Sequence, residues 1–226
     1  MKRLIFDEDH DMFRDATRRF MQAEIEPHVE RWREQGLCDK EAFLKSGEQG
    51  LLGMWVPEEY GGMGIEDFRF EQVVIEETVR HGDLGLFLTL HSRLVGPYIG
   101  HLGNEALKKR LLPQVVSGET ILGVAMTEPG AGSDLAGIKS RAVRDGDDWI
   151  LSGSKTYISH GINGGAFVVA ARPVPDKRHG IGLFVVEEGM EGFQRGRNLA
   201  KMGLKTQDTA ELFFENVRVP AENVLG

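Results

Sequence analysis

The pattern of apolar residues changes character once along this chain, and that change limits the architectures open to it. Up to about residue 120 apolar positions recur at steps of three and four. Beyond it, short β-type runs alternate with turn clusters. A block of helices followed by a block of strands excludes a doubly wound α/β sheet, in which the two alternate. The expectation is an α+β chain, with an N-terminal helical bundle domain over residues 1–120 and a mainly antiparallel β domain over residues 121–226.

In the first block Asp7 can cap a helix that presents Phe13, Ala16, Phe20 and Ala23 on one face, with Pro27 ending or kinking it. Further helices are expected from Asp39 to Gln49 and from Asp67 to His81, the latter with Phe70, Val73 and Val74 inward. Another is expected through the apolar stretch from Leu84, and one from Asn104 to Gly118, bent at Pro113. In the second block the strand-like runs are Ile121–Met126, Lys139–Val143, Trp149–Ser152, Ala166–Ala171, Gly182–Val186 and Ala210–Phe214. Asp145-Gly146-Asp147 reads as a hairpin turn between two of them.

Composition removes several function classes. The net charge of −8 offers no footprint for nucleic acid or an anionic membrane. The stretch Leu84–Leu102 carries His91, Arg93 and Pro97, so it reads as a buried helix and not a membrane span. Cys38 is the one cysteine; it suits a reducing compartment and makes neither a disulfide nor a metal site. No metal-ligand pattern is present, and no targeting peptide is visible at the start.

Three segments carry chemistry. Ala125-Met126-Thr127-Glu128-Pro129-Gly130-Ala131-Gly132-Ser133-Asp134 is a glycine-rich loop leaving a strand. Its backbone N–H groups can approach a planar ligand or a phosphate, although it is neither a P-loop nor a dinucleotide fingerprint. In Gly153-Ser154-Lys155-Thr156-Tyr157-Ile158-Ser159, Tyr157 can stack on a ring and the Ser159 hydroxyl can bond a ring nitrogen. Lys201-Met202-Gly203-Leu204-Lys205-Thr206-Gln207-Asp208-Thr209 is a polar loop before a strand. Each also has a plainer reading: a strand-end turn, a core tyrosine beside a surface serine, and a simple turn.

In this order and at this spacing, the three segments resemble the acyl-CoA dehydrogenase family, whose most characteristic run is Thr-Glu-Pro-Gly-Ala-Gly-Ser-Asp. Within it they are most similar to the long-chain branch. The likeness extends to Gln49-Gly50-Leu51-Leu52-Gly53 and Gly61-Gly62-Met63-Gly64. It implies a flavoprotein oxidoreductase of fatty acid β-oxidation that removes the α-proton of an acyl-CoA with a glutamate and passes the β-hydrogen to FAD. The implied FAD contacts are Ala125, Met126, Thr127, Gly132, Ser133, Tyr157, Ile158 and Ser159; those to substrate are Ser133, His179 and Gly180. Tyr157 stands where relatives commonly have tryptophan and Ser159 where they have threonine. Gln207 and Lys205 replace the serine and arginine of many members, as in the long-chain branch.

The resemblance also implies a C-terminal helical domain absent from this sequence. The catalytic base is expected there, beyond Gly226, so no catalytic residue is assigned and the chain alone is expected to be inactive. It further implies an electron-transfer flavoprotein as acceptor and a homo-oligomer, tetrameric in the full-length form. The expected compartment is a bacterial cytoplasm or a mitochondrial matrix. Glu128, His91 and the His179-Gly180 loop each have a bland role as the favoured reading: loop-structuring carboxylate, satisfied core histidine and solvated loop. A related flavin oxidase or monooxygenase, and a non-catalytic assembly fragment, remain as alternatives.

Overall fold

The structure is a computed structural model that describes residues 4–174 and 180–226. Its helices are α1 (Glu8–Phe20), α2 (Val29–Gln35), α3 (Glu41–Glu48), α4 (Phe68–His81), α5 (Gly96–Leu102) and α6 (Glu105–Ser117). The strands follow: β1 (Leu122–Ala125), β2 (Arg141–Asp145), β3 (Asp148–Ser159), β4 (Ala166–Val174), β5 (Gly182–Glu187), β6 (Phe193–Arg195), β7 (Thr209–Val219) and β8 (Val224–Leu225). A helical N-terminal part and a mainly antiparallel sheet are therefore both present.

Asp7 caps α1 by accepting the His10 N–H, with acidic residues in the first turn and Arg18 and Arg19 in the last, as the helix dipole favours. The chain does not stop at Pro27. It passes through a π-helical turn, Met21–Ile25, and a short 3₁₀ turn, Glu26–His28, into α2. The wider π turn shifts the helical phase, so Met21 and Ile25 are buried while Ala23, expected inward, is exposed. In α4, Val73 and Val74 are fully buried. Pro113 lies inside α6 without ending it.

The stretch after Leu84 departs most from expectation. It is not one helix but a 3₁₀ turn (Leu84–Leu86), a break at Phe87 with φ 51°, a π-helical segment (Leu90–Val95) and then α5. The cause is local. Asp83 accepts the Gly85 N–H at 2.9 Å and also binds the Thr206 hydroxyl, which pins the turn against the Lys201–Thr209 loop. Gly85 permits that approach, because a Cβ there would lie 1.9 Å from Thr206 Oγ1 and 2.5 Å from Gln207 N.

The sheet runs β6-β7-β3-β2-β4-β5-β8, with β1 beside β4. β1 and β2 pair parallel to β4, and the remaining pairs are antiparallel. The β2–β3 hairpin closes over Gly146-Asp147, with Asp145 facing Asp148 and Gly146 carrying the positive φ of 66°. One apolar core lies among the helices around Trp32, Phe43, Leu52 and Val74. A second joins Trp55, Ile99 and Leu112 to Leu122, Val168 and Val185, so helices and sheet are packed into each other. A third, with Leu151, Phe167, Phe184 and Leu212, fills the β part.

Candidate functional site

β1 delivers Ala125, fully buried, and then Met126 and Thr127, both half-buried, into the glycine-rich loop. A tight turn follows, in which Glu128 N donates to Ala131 O at 2.9 Å and Ala131 N donates back to Glu128 O at 3.1 Å. The Glu128 carboxylate holds the loop from within. It accepts from Lys139 N at 2.7 Å, Ser140 N at 3.0 Å and Lys155 Nζ at 2.8 Å. Burial pushes this carboxyl up, but Lys155, Ser140 and the backbone amides outweigh it and hold it at about 2. Lys155 is itself fully buried and also donates to Met126 O at 3.0 Å. Glu128 is thus an ionised structural anchor with its oxygens committed.

The second segment lies directly beside the first. Thr156 N donates to Thr127 O at 2.9 Å, which ties the loop to β3. Between Lys155 and Ile158 the β3–β7 register slips, and at that bulge Tyr157 adopts φ 58°. The bulge turns the Tyr157 ring outward, leaving it 70% exposed, while Ile158 is buried in the β core. Ile158 and Ala125 therefore offer only backbone to anything bound outside. Gly132 and Ser133 are exposed on the loop, and nothing lies within 4 Å of where a Cβ on Gly130 or Gly132 would sit.

The third segment completes the arrangement. The Gln207 amide donates to Ser159 Oγ at 2.6 Å, and Ser159 pairs with Thr209 across β3 and β7. Asp208 is buried and accepts the Ile162 and Asn163 N–H groups at 2.7 and 2.9 Å. Lys201 reaches back to Gln207 O. The three segments, distant in sequence, are joined to one another by hydrogen bonds at the C-terminal end of β3.

Other residues singled out in the sequence lie elsewhere. His91 is fully buried, with Nε2 2.9 Å from Val115 O and Nδ1 accepting from Leu122 N at 3.0 Å. Burial pushes its pKa down to about 4, so it is a neutral staple between α6 and β1. Two consequences follow. His91→Phe should cost about 2–4 kcal/mol by orphaning two buried backbone groups. In the native chain, stability should fall as pH drops from about 6.5 toward 4, since unfolded His takes up a proton that the buried ring refuses. Urea unfolding at pH 7 and pH 5 checks both, and the variant should lose that part of the pH slope. Cys38 is buried, and burial pushes its thiol pKa up, which makes it inert. Gly180 is exposed just before β5, at the sheet end toward which parallel β1 and β4 both run. His179 lies outside the described residues. No group of three or more His, Cys, Asp or Glu among the described residues could hold a metal ion. No helix among them is long and apolar enough to cross a membrane.

Sequence reasoning missed two features. Lys155 and Glu128 pair across 27 residues, which no local pattern reveals. An apolar pocket of about 130 Å³ is lined by Ile75, Thr78, Leu84, Phe87, Leu88 and Thr89. The Phe87 ring meets the His160 ring at 6.3 Å, which sets the pocket beside the end of β3. The broken backbone at Phe87 creates it, and helical periodicity alone does not disclose that break.

Residues 7–119 match the acyl-CoA dehydrogenase N-terminal domain, and residues 123–217 match the acyl-CoA dehydrogenase middle domain. The chain belongs to the acyl-CoA dehydrogenase family. It is 47% identical to the mitochondrial long-chain specific acyl-CoA dehydrogenase of Sus scrofa, over 99% of this chain and 53% of that protein. The chain thus spans about half the length of the curated relatives it matches. Its fold superposes on an acyl-CoA dehydrogenase from Geobacillus kaustophilus with a TM-score of 0.95 at 45% identity, covering 100% of this chain and 60% of that one. An acyl-CoA dehydrogenase from Bacillus anthracis, solved with FAD, gives a TM-score of 0.92 at 31% identity, over 100% of this chain and 38% of that one.

Proposed function

We propose that this chain forms the FAD- and substrate-facing part of a long-chain acyl-CoA dehydrogenase, divided near residue 120 into a helical and a β domain. The observation carrying this reading is the junction of the three segments through Thr156 N–Thr127 O and Gln207–Ser159. The groups present fit a flavin. Tyr157 offers an outward aromatic face, Thr127 and Ser159 offer hydroxyls beside it, and the open loop at Gly130–Ser133 leaves room for a pyrophosphate. When bound, FAD supplies the hydride acceptor that no side chain provides.

The chain's own residues bind and orient. Thr127 bonds the polar edge of the ring, with Ala125 and Met126 lining it through their backbone. Gly132 and Ser133 lie near the pyrophosphate and the CoA arm, with Gly180 and His179 as further CoA contacts. The Ser159 hydroxyl, already accepting from Gln207, is left to donate toward the ring nitrogen. The acyl chain takes the apolar pocket lined by Ile75, Leu84 and Leu88. Glu128 is committed to Lys155, Lys139 and Ser140 and is not free to act as the base; the family resemblance assigns the proton step to a glutamate outside these residues. The acceptor of the electrons is an electron-transfer flavoprotein, and the full-length protein is a tetramer.

Thr127→Val and Ser159→Ala should each weaken FAD binding by about three- to tenfold, the worth of one neutral hydrogen bond. Isothermal titration with FAD reads this directly. Equal affinity in both variants removes the assignment. Adding a long-chain acyl-CoA anaerobically to the FAD-loaded chain should leave the flavin absorbance unbleached, because a missing base costs on the order of 10²–10⁴ in rate.

A further inference from the structure

Glu71 is a buried carboxyl that the chemistry above does not use. Only 3% of it is exposed, and its Oε1 has no hydrogen-bond partner. Its other contact is the Thr89 hydroxyl, and Thr89 lines the apolar pocket. Ile75 and Thr78, which also line the pocket, stand four and seven residues on from Glu71. All three share one face of α4. Thr78 and Ile75 line the pocket, and one turn nearer the N-terminus of α4 Glu71 borders the adjoining crevice and meets the pocket-lining Thr89.

The two ends differ. At the far end Leu84 also lines a larger recess of about 290 Å³ shared with Asp83, Leu204 and Lys205, toward the loop that holds Gln207. Beside Glu71 lies a crevice of about 10 Å³, bordered by Trp55, Asp67, Phe68 and Arg93. That space admits at most one water and no further methylene. Burial pushes the Glu71 carboxyl up to about 7, and the Thr89 hydroxyl and the Arg93 charge offset this only in part.

We propose that Glu71 and Thr89 form a polar end-wall that sets the longest apolar chain the pocket accepts. This rests on the acyl-CoA reading above and names the residues that determine chain-length preference within it. An alkyl chain gains affinity from each methylene it buries until its end meets the wall. Past that length, further carbons must stay in water or press on a buried hydrogen-bonded pair, and neither gains affinity.

The test is calorimetric binding of an even-numbered series of straight-chain acyl-CoAs to the native chain and to three variants. Native affinity should rise by about fourfold per methylene up to a cut-off length and then level off. Thr89→Ala and Glu71→Ala should each move the cut-off to a longer member of the series. Glu71→Gln keeps the volume and the Thr89 contact, so its cut-off should stay native. If Glu71→Ala does not fold, Thr89→Ala, which removes only two heavy atoms, decides the matter against Glu71→Gln. An unchanged cut-off in Thr89→Ala, with acyl-CoA still bound, overturns the end-wall alone. Affinity independent of chain length in the native chain overturns the acyl-CoA reading of the pocket, and the end-wall with it.

Discussion

Glu128→Ala should destabilise the chain by about 3–5 kcal/mol, because it leaves Lys155 charged, fully buried and without its counter-ion. The carboxylate also takes the backbone N–H groups of Lys139 and Ser140, so its loss frees the loop end that precedes β2. Urea unfolding at pH 7 measures the cost. The double variant Glu128→Leu with Lys155→Met should recover most of it, since a buried pair replaced by apolar groups of similar size is often neutral or better. A general base would behave otherwise, losing activity without losing stability. The pH dependence has a defined sign. The folded carboxyl sits at about 2, below the 4.5 of a free glutamate, so its contribution is complete above about 4.5 and disappears as pH falls toward 2. Glu128→Ala should therefore narrow its gap from the native chain on acidification.

Gly85→Ala should cost about 1–3 kcal/mol and weaken FAD binding by roughly tenfold, although residue 85 lies in the helical part and outside the proposed cofactor site. The added Cβ would meet Thr206 Oγ1 at 1.9 Å and Gln207 N at 2.5 Å, so the Lys201–Thr209 loop must move. Gln207 carries the amide that holds Ser159, and the displacement passes directly to the β3 end. Gly165→Ala, outside the three segments, is the control. Its added Cβ comes no nearer than 3.4 Å to a neighbour, and its stability should change by less than about 0.5 kcal/mol with FAD affinity unaltered. Equal effects of the two substitutions, by thermal unfolding and FAD titration, would remove the coupling between Gly85 and the site.

Helices and strands with strong local signals were legible in the sequence. The Asp67–His81 pattern yields α4, Phe68–His81, because Asp67 caps it and Val73 and Val74 need a core. The acyl-CoA dehydrogenase motifs were legible for the same reason, being contiguous runs of residues. What was hidden depends on contacts far along the chain. The π turn at Met21–Ile25 inserts a residue into a helical turn, so the face predicted through Ala23 passes to Ile25. The break at Phe87 is imposed by Thr206 and Asp83, which sequence periodicity cannot register. β6 and β8, of three and two residues, are too short for alternation to show. β3 runs further than the Trp149–Ser152 signal because Gly153 carries the chain close past Ser140 through a register shift, after which the pairing to β7 resumes.

The central claim is that the three sequence segments make one flavin-facing surface. Backbone amide chemical shifts of the isotope-labelled chain, followed through a titration with FAD, test it most directly. The account predicts the largest perturbations at Thr127 and Gly130–Asp134, at Tyr157–Ser159, and at Gln207, all saturating with one common dissociation constant. Perturbations centred instead on the groove at Ile150, Glu215 and Arg218 on another part of the sheet, or none at millimolar FAD, would contradict it.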